Sequence, residues 1–215
     1  MSFDALAPHY RRLEWLLAGE KLQRCRLQHL DAVADAKSVL ILGEGPGRLL
    51  AECRRRLPRA EITCVDASAR MLELAAAHVR QAGLPTAGIW FLNADALTWE
   101  PPAAAFDLLF TPFFLDCFRP GQLAQLVRRL ARSTTADARW LVAEFQVPPR
   151  GPARWRALVS LWLAYRFFRL TTGLSARRLP DPDPFLVAAG FRLQARRETD
   201  WGLLRSDLWI KRPGG

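Results

Sequence analysis

The run Val39-Leu40-Ile41-Leu42-Gly43-Glu44-Gly45-Pro46-Gly47 constrains this chain more than any other. It is an apolar strand leading into a loop with glycine at every second position. Such a loop lets backbone approach a ligand closely and adopt dihedrals that side chains resist. A second short strand, Ile62-Thr63-Cys64-Val65, ends in Asp66, a carboxylate placed to accept two ribose hydroxyls. Together the two features point to a ligand containing a nucleoside.

Glycine spacing narrows that ligand. A dinucleotide fingerprint reads G-x-G-x-x-G, its third glycine permitting close contact between helix and strand. Counted from Gly43, the third glycine would fall at Arg48. The loop is instead G-x-G-x-G, which argues against a nicotinamide-dependent oxidoreductase.

The chain has 215 residues, enough for one α/β domain with a sizeable core. Half of them are hydrophobic, which argues against disorder. No stretch supplies the roughly 20 apolar residues of a membrane span, and the opening residues, with Asp4 and His9, lack a signal-peptide pattern. The expected location is the cytoplasm. Cys25, Cys53, Cys64 and Cys117 are scattered without a C-x-x-C pair, and no metal site is expected. The net charge of +10 raises nucleic acid as a partner. The positive residues are nearly all arginine and spread along the whole chain, which weighs against it. An anionic membrane surface or an acidic substrate fits the charge as well.

Periodicity orders the elements. Ala5 to Ala34 reads as helical, followed by strands at 38–42, 61–65, 88–93, 106–111 and 139–145. Helices fall between them at 47–57, 68–81 and 121–132, with Ser68 as an N-cap and Gly83 as a terminator. Alternation of this kind predicts a parallel sheet with helices on both faces, binding ligands beyond the strand carboxyl ends. After Pro148-Pro149 an aromatic helix is expected over 153–170 and a short one at 184–189. Two final strands are expected at 191–197 and 202–211.

With these elements placed, residues 1–211 resemble a class I S-adenosylmethionine-dependent methyltransferase acting on small molecules. Gly43-Glu44-Gly45-Pro46-Gly47-Arg48 is similar to the family's first motif, and Val65-Asp66-Ala67-Ser68 with Met71-Leu72 to its second. Asn93-Ala94-Asp95-Ala96 resembles the third. Phe106-Asp107-Leu108-Leu109-Phe110, followed by Pro112-Phe113-Phe114-Leu115-Asp116-Cys117-Phe118, resembles the fourth strand and its loop in a bacterial branch of the family. Relatives usually place an acid two positions before the first glycine. Here Ile41 stands there, and Glu44 is the residue able to order the loop in its stead.

The resemblance implies a Rossmann-like, seven-stranded sheet, mostly parallel with an antiparallel last strand, under an N-terminal helical lid. It divides the single domain into a helical cap (1–36), a cofactor-binding core (37–146), a helical lid insertion (147–190) and a closing strand pair (191–211). S-adenosylmethionine would be held by Gly43, Glu44, Gly45, Gly47, Asp66, Ala67, Met71, Asp95, Ala96 and Thr111, leaving as S-adenosylhomocysteine. Asp66 would take the ribose hydroxyls, Met71 would pack near the adenine, and Asp95 would receive a hydrogen from the adenine amino group.

On the acceptor side Asp116, Tyr10 and His9 are the candidate catalytic groups, and Phe113, Phe114, Glu144 and Tyr165 the candidate substrate contacts. Each has a plainer reading: an N-cap for Asp116, packing for the aromatics, a solvated histidine, a core salt bridge for Glu144. The helix carrying Trp155, Trp162 and Tyr165 with Arg154, Arg156, Arg166 and Arg169 fits a lid over a lipophilic acceptor, a peripheral contact with anionic lipid, or ordinary packing. Competing functions are an RNA or protein methyltransferase and a non-catalytic scaffold that binds the same cofactor. Against the former, Thr111-Pro112-Phe113-Phe114 matches poorly the N/D-P-P-Y tetrapeptide of enzymes that methylate amino groups on nucleic acid.

Overall fold

A computed structural model describes residues 20–159 and 179–212. Seven strands form one sheet in the order β3-β2-β1-β4-β5-β7-β6. They are β1 (Ser38–Leu42), β2 (Glu61–Asp66), β3 (Ile89–Asn93), β4 (Phe106–Pro112), β5 (Thr134–Phe145), β6 (Phe191–Thr199) and β7 (Leu204–Lys211). β7 runs antiparallel to both β5 and β6, and the other pairs are parallel, as expected for this fold class. Strand order reverses between β1 and β4, which opens a crevice at their carboxyl ends.

The helices are α1 (Glu20–Leu27), α2 (Arg48–Arg56), α3 (Ala69–Gln81), α4 (Pro120–Arg132), α5 (described over 152–159) and α6 (Asp183–Ala188). Alternate residues of each strand feed opposite layers. Val39, Ile41, Ile62 and Cys64 pack under Leu49, Leu50 and Cys53 of α2 and Leu72, Ala75 and Val79 of α3. Leu40, Leu42, Leu109, Trp140 and Val142 pack under Leu123, Leu126, Val127 and Leu130 of α4. Each fully buried leucine of these stripes contributes about 2 kcal/mol through removal from water. The apolar stripe is also what holds each helix against the sheet.

Three expectations are corrected. The opening helix does not run unbroken to Ala34: α1 stops at Leu27, and a separate 3₁₀ turn covers Leu30–Val33. Between them His29 is drawn inward, its Nε2–H donating to the Ser206 carbonyl at 3.1 Å. β5 begins at Thr134 rather than at 139, its polar first half pairing Thr134 with Phe106 before a register shift. β7 begins at Leu204, because 200–203 form the turn after β6. Residues 1–19 and the rest of the aromatic helix lie outside the described residues, and with them His9, Tyr10 and Tyr165.

Candidate functional site at the carboxyl edge of the sheet

The glycine loop leaves β1 beside the end of β2, with the Gly43 N–H donating to the Val65 carbonyl at 3.1 Å. Gly43, Gly45 and Gly47 all have positive φ, at 66, 77 and 99°. A Cβ on Gly43 would lie 2.3 Å from the Phe114 ring, and one on Gly47 would lie 2.7 Å from the Ala75 Cα. The loop is therefore pressed between α3 and the segment after β4, with no room for side chains at either end.

Glu44 is buried inside this loop and caps α2. Its Oε2 accepts from the Gly47 N–H at 2.5 Å, and its Oε1 from Leu49 and Leu50 at 2.7 and 3.0 Å. These N–H groups are the ones a helix start leaves without intrahelical partners. Burial pushes the carboxyl up to about 7, while the Leu50, Gly47 and Leu49 N–H groups and the Arg26 charge pull the other way. Glu44 thus orders the loop from within, and Ile41, two positions before Gly43, is wholly buried among apolar neighbours.

α1 docks against the same loop. Gln23 donates to the Arg48 carbonyl at 3.2 Å, and Arg48 pairs with Glu20 at 2.7 Å. Arg26 is buried with its guanidinium 5.3 Å from the Phe113 ring centre. Neither Gln23 nor Arg26 was among the sequence candidates. The available signal was the helical spacing of Leu22, Gln23, Cys25 and Arg26, which places a polar pair, Gln23 and Arg26, on one face with Leu22 and Cys25.

Asp66 pairs with Asn93 across β2 and β3, and its Oδ1 accepts from the Ser68 N–H at 2.9 Å. Ser68 in turn caps α3 by accepting from the Met71 N–H. Met71 is buried beneath this corner and Ala67 is exposed above it. Asp95 closes a tight turn by accepting from the Leu97 N–H at 2.9 Å, with Ala96 buried behind it. Asp66, Asp95 and the glycine loop therefore share one edge. Thr111 is fully buried instead, its hydroxyl accepting from the Trp140 indole at 3.0 Å.

The segment after β4 separates the two candidate phenylalanines. Phe113 has a φ of 54° and packs on Phe145 at 4.9 Å, toward α1. Phe114 turns to Gly43 and meets Phe118 edge-on at 5.1 Å. A left-handed phenylalanine is strained, and such strain persists only where neighbours over-determine it. Glu144 supplies that constraint: its Oε1 accepts from the Phe114 and Leu115 N–H groups at 3.2 and 2.8 Å. Its Oε2 is buried and has no hydrogen-bond partner among the described residues. Burial, helped by the negative charge of Asp116, holds this carboxyl well above the ordinary range against the Leu115 N–H, Arg205 and the Phe114 N–H. Cys117 donates to Asp116 at 3.5 Å, and burial keeps its thiol protonated.

Residues 39–137 match the family model described as a methyltransferase domain. Trans-aconitate 2-methyltransferase of Escherichia coli O157:H7 is 40% identical over 93 residues, 43% of this chain and 31% of that protein. The protein of the same name from Streptomyces avermitilis is 38% identical over 117 residues, 53% of this chain and 40% of its own. The match spans less than half the length of these curated relatives. Among solved structures, Burkholderia thailandensis 1,6-didemethyltoxoflavin-N1-methyltransferase, with 1,6-didemethyltoxoflavin and S-adenosylhomocysteine bound, shares the fold at a TM-score of 0.66. It is 18% identical, over 94% of this chain and 83% of that one.

Proposed function

From a chain whose residues 39–137 are a methyltransferase domain, set in a class I S-adenosylmethionine-dependent methyltransferase fold, we propose that it methylates a small-molecule acceptor. The observation that carries this reading is the Glu44-capped glycine loop lying beside Asp66 at the switch point of the sheet. The residues fit the cofactor. A loop without side chains at Gly43 and Gly47, a carboxylate closing β2 and a turn at Asp95 supply backbone access and acceptors for an adenosyl group. S-adenosylmethionine held there supplies an electrophilic methyl group whose sulfur departs as a neutral thioether.

What remains for the chain is alignment. The acceptor atom must sit about 3–3.5 Å from the methyl carbon on the line of the breaking bond. The Glu144-tied turn at Phe113–Leu115 lies where that acceptor would enter, and Phe114 lines the boundary with the glycine loop. The uncommitted Oε2 of Glu144 is the group able to hold an acceptor proton, with Asp116 beside it. Tyr10, His9 and Tyr165 stay in the proposal as acceptor-side contacts. The relatives are named for small acceptors, trans-aconitate and 1,6-didemethyltoxoflavin, which supports that class over RNA or protein.

Calorimetric titration with S-adenosylmethionine and S-adenosylhomocysteine tests the reading, with NADH as competitor. Micromolar binding that NADH does not displace, and that Asp66→Ala weakens at least tenfold, is the expected result. A folded protein that binds neither compound would refute it.

A further inference from the structure

We infer that the Asp200–Trp201 turn and the adjoining face of α5 form a docking surface for an anionic lipid bilayer. Trp201 and Trp155 are 75% and 72% exposed, the highest values among the large hydrophobic residues described, and Leu158 and Val159 of α5 are exposed beside Trp155. The turn and the start of α5 are contiguous: Lys21, Pro152, Ala153, Arg156, Asp200 and Trp201 line one shallow cleft. The patch sits at the carboxyl edge of the sheet, since the adjoining start of β7 pairs with the end of β5 through Glu144 and Arg205.

The turn is built to hold its tryptophan outward. Asp200, Trp201 and Gly202 have φ of 50, 61 and 77°, and the Gly202 N–H closes the turn on the Thr199 carbonyl at 3.1 Å. Such a mirror-image turn favours glycine or asparagine, and a bulky aromatic there is an outlier with no packing to explain it. Asp200 is fixed from both sides, by Lys21 at 2.7 Å and by Arg156 at 2.8 and 2.9 Å. The exposed Arg150 and Arg154 add positive charge, Arg154 donating to the Pro148 carbonyl at 3.4 Å, and outnumber the one exposed acid at this turn, Glu198 beside Gly202.

Exposed indoles beside cationic side chains match the headgroup layer, where the ring sits at the interface and arginine meets anionic lipid. The molecule's net charge of +10 adds long-range attraction toward such a surface. No helix among the described residues is long and apolar enough to cross a membrane. This inference is independent of the reaction, and its test needs neither cofactor nor acceptor.

The test is cosedimentation of the full chain with vesicles of phosphatidylcholine alone or with about 30% phosphatidylglycerol, at low and raised salt. Expected is binding to the anionic vesicles that falls with salt and weakens about tenfold in Trp155→Ala and in Trp201→Gly. Glycine relieves the turn, so thermal unfolding of Trp201→Gly at or above the wild-type temperature excludes misfolding as the cause. Arg150→Glu with Arg154→Glu should abolish the preference for anionic lipid. Absence of binding to anionic vesicles overturns the inference, as does binding that Trp201→Gly leaves unchanged. Self-association in vesicle-free sedimentation that Trp201→Gly abolishes would also overturn it, by assigning the patch to a second copy.

Discussion

Gly43 and Gly47 read identically in the sequence but are glycine for different reasons. At Gly43 the obstacle is the Phe114 side chain, 2.3 Å from where a methyl group would stand, while at Gly47 it is the Ala75 backbone at 2.7 Å. Both also hold positive φ, costing any other residue about 1–2 kcal/mol. Gly43→Ala should therefore destabilise by about 2–4 kcal/mol and regain part of that in a Phe114→Ala background. Gly47→Ala should cost at least as much and be rescued by no side-chain truncation. Denaturant unfolding of the double-mutant set measures both, and equal rescue at the two sites would contradict the geometry. Glu44 offers a second residue-level test. Its carboxyl titrates near 4.5 when unfolded and is pushed up to about 7 by burial when folded. The folded state then binds the extra proton between those values. The stability this provides is complete below about 4.5 and lost as pH rises through 7, on the order of 3 kcal/mol. Glu44→Gln should flatten that slope in urea unfolding across this window. An unchanged slope would mean that the α2 N–H groups keep the carboxylate ionised. The glycine spacing and Asp66 were legible in the sequence because local backbone chemistry dictates them. The buried Oε2 of Glu144 and the buried Arg26 were not, since both depend on which strands and helices become neighbours.

At the scale of elements, β7 shows where periodicity falls silent. Arg205, Ser206 and Asp207 read as a polar, edge-like run, yet all three are buried because β7 lies between β5 and β6. Asp207 is wholly buried and takes two bonds from Arg196, at 2.7 and 2.8 Å. Arg196 also meets Asp183 of α6 at 2.7 Å, and Arg205 meets the same Asp183 at 3.0 Å. These pairs fasten β6, β7 and α6 together, and removing one partner leaves the others buried without compensation. Asp207→Ala should cost about 3–5 kcal/mol, while Arg196→Met with Asp207→Leu should recover much of it. Guanidinium unfolding of both variants checks this, and a loss under about 1 kcal/mol for Asp207→Ala would deny the pairs their fastening role. The helices between strands were readable to within two residues for α2, α3 and α4, since each carries a clear apolar stripe. α1 and the first half of β5 depart from the local pattern because a side-chain bond from His29 and a bulged pairing to Phe106 override it.

For the whole molecule, alternating strands and helices with glycine-rich turns leave few ways to bury the apolar residues, and a mostly parallel sheet covered on both faces satisfies them. The order of residues alone therefore fixes the fold class, the switch-point crevice and the corner where Gly43, Gly45, Gly47 and Asp66 meet. Short-range rules govern all of these: φ preferences, period, and the direction in which a strand ends. The placement of Phe114 on Gly43 and Phe113 on Phe145, the buried ion pairs of β7, and the outward Trp201 against the start of α5 follow from another kind of constraint. Each joins residues far apart in the chain, and their distances are set only when the sheet closes and the helices settle on it. That is why the corner of the glycine loop and Asp66 could be read in advance, while the Glu144-tied turn and the outer patch had to be seen in three dimensions.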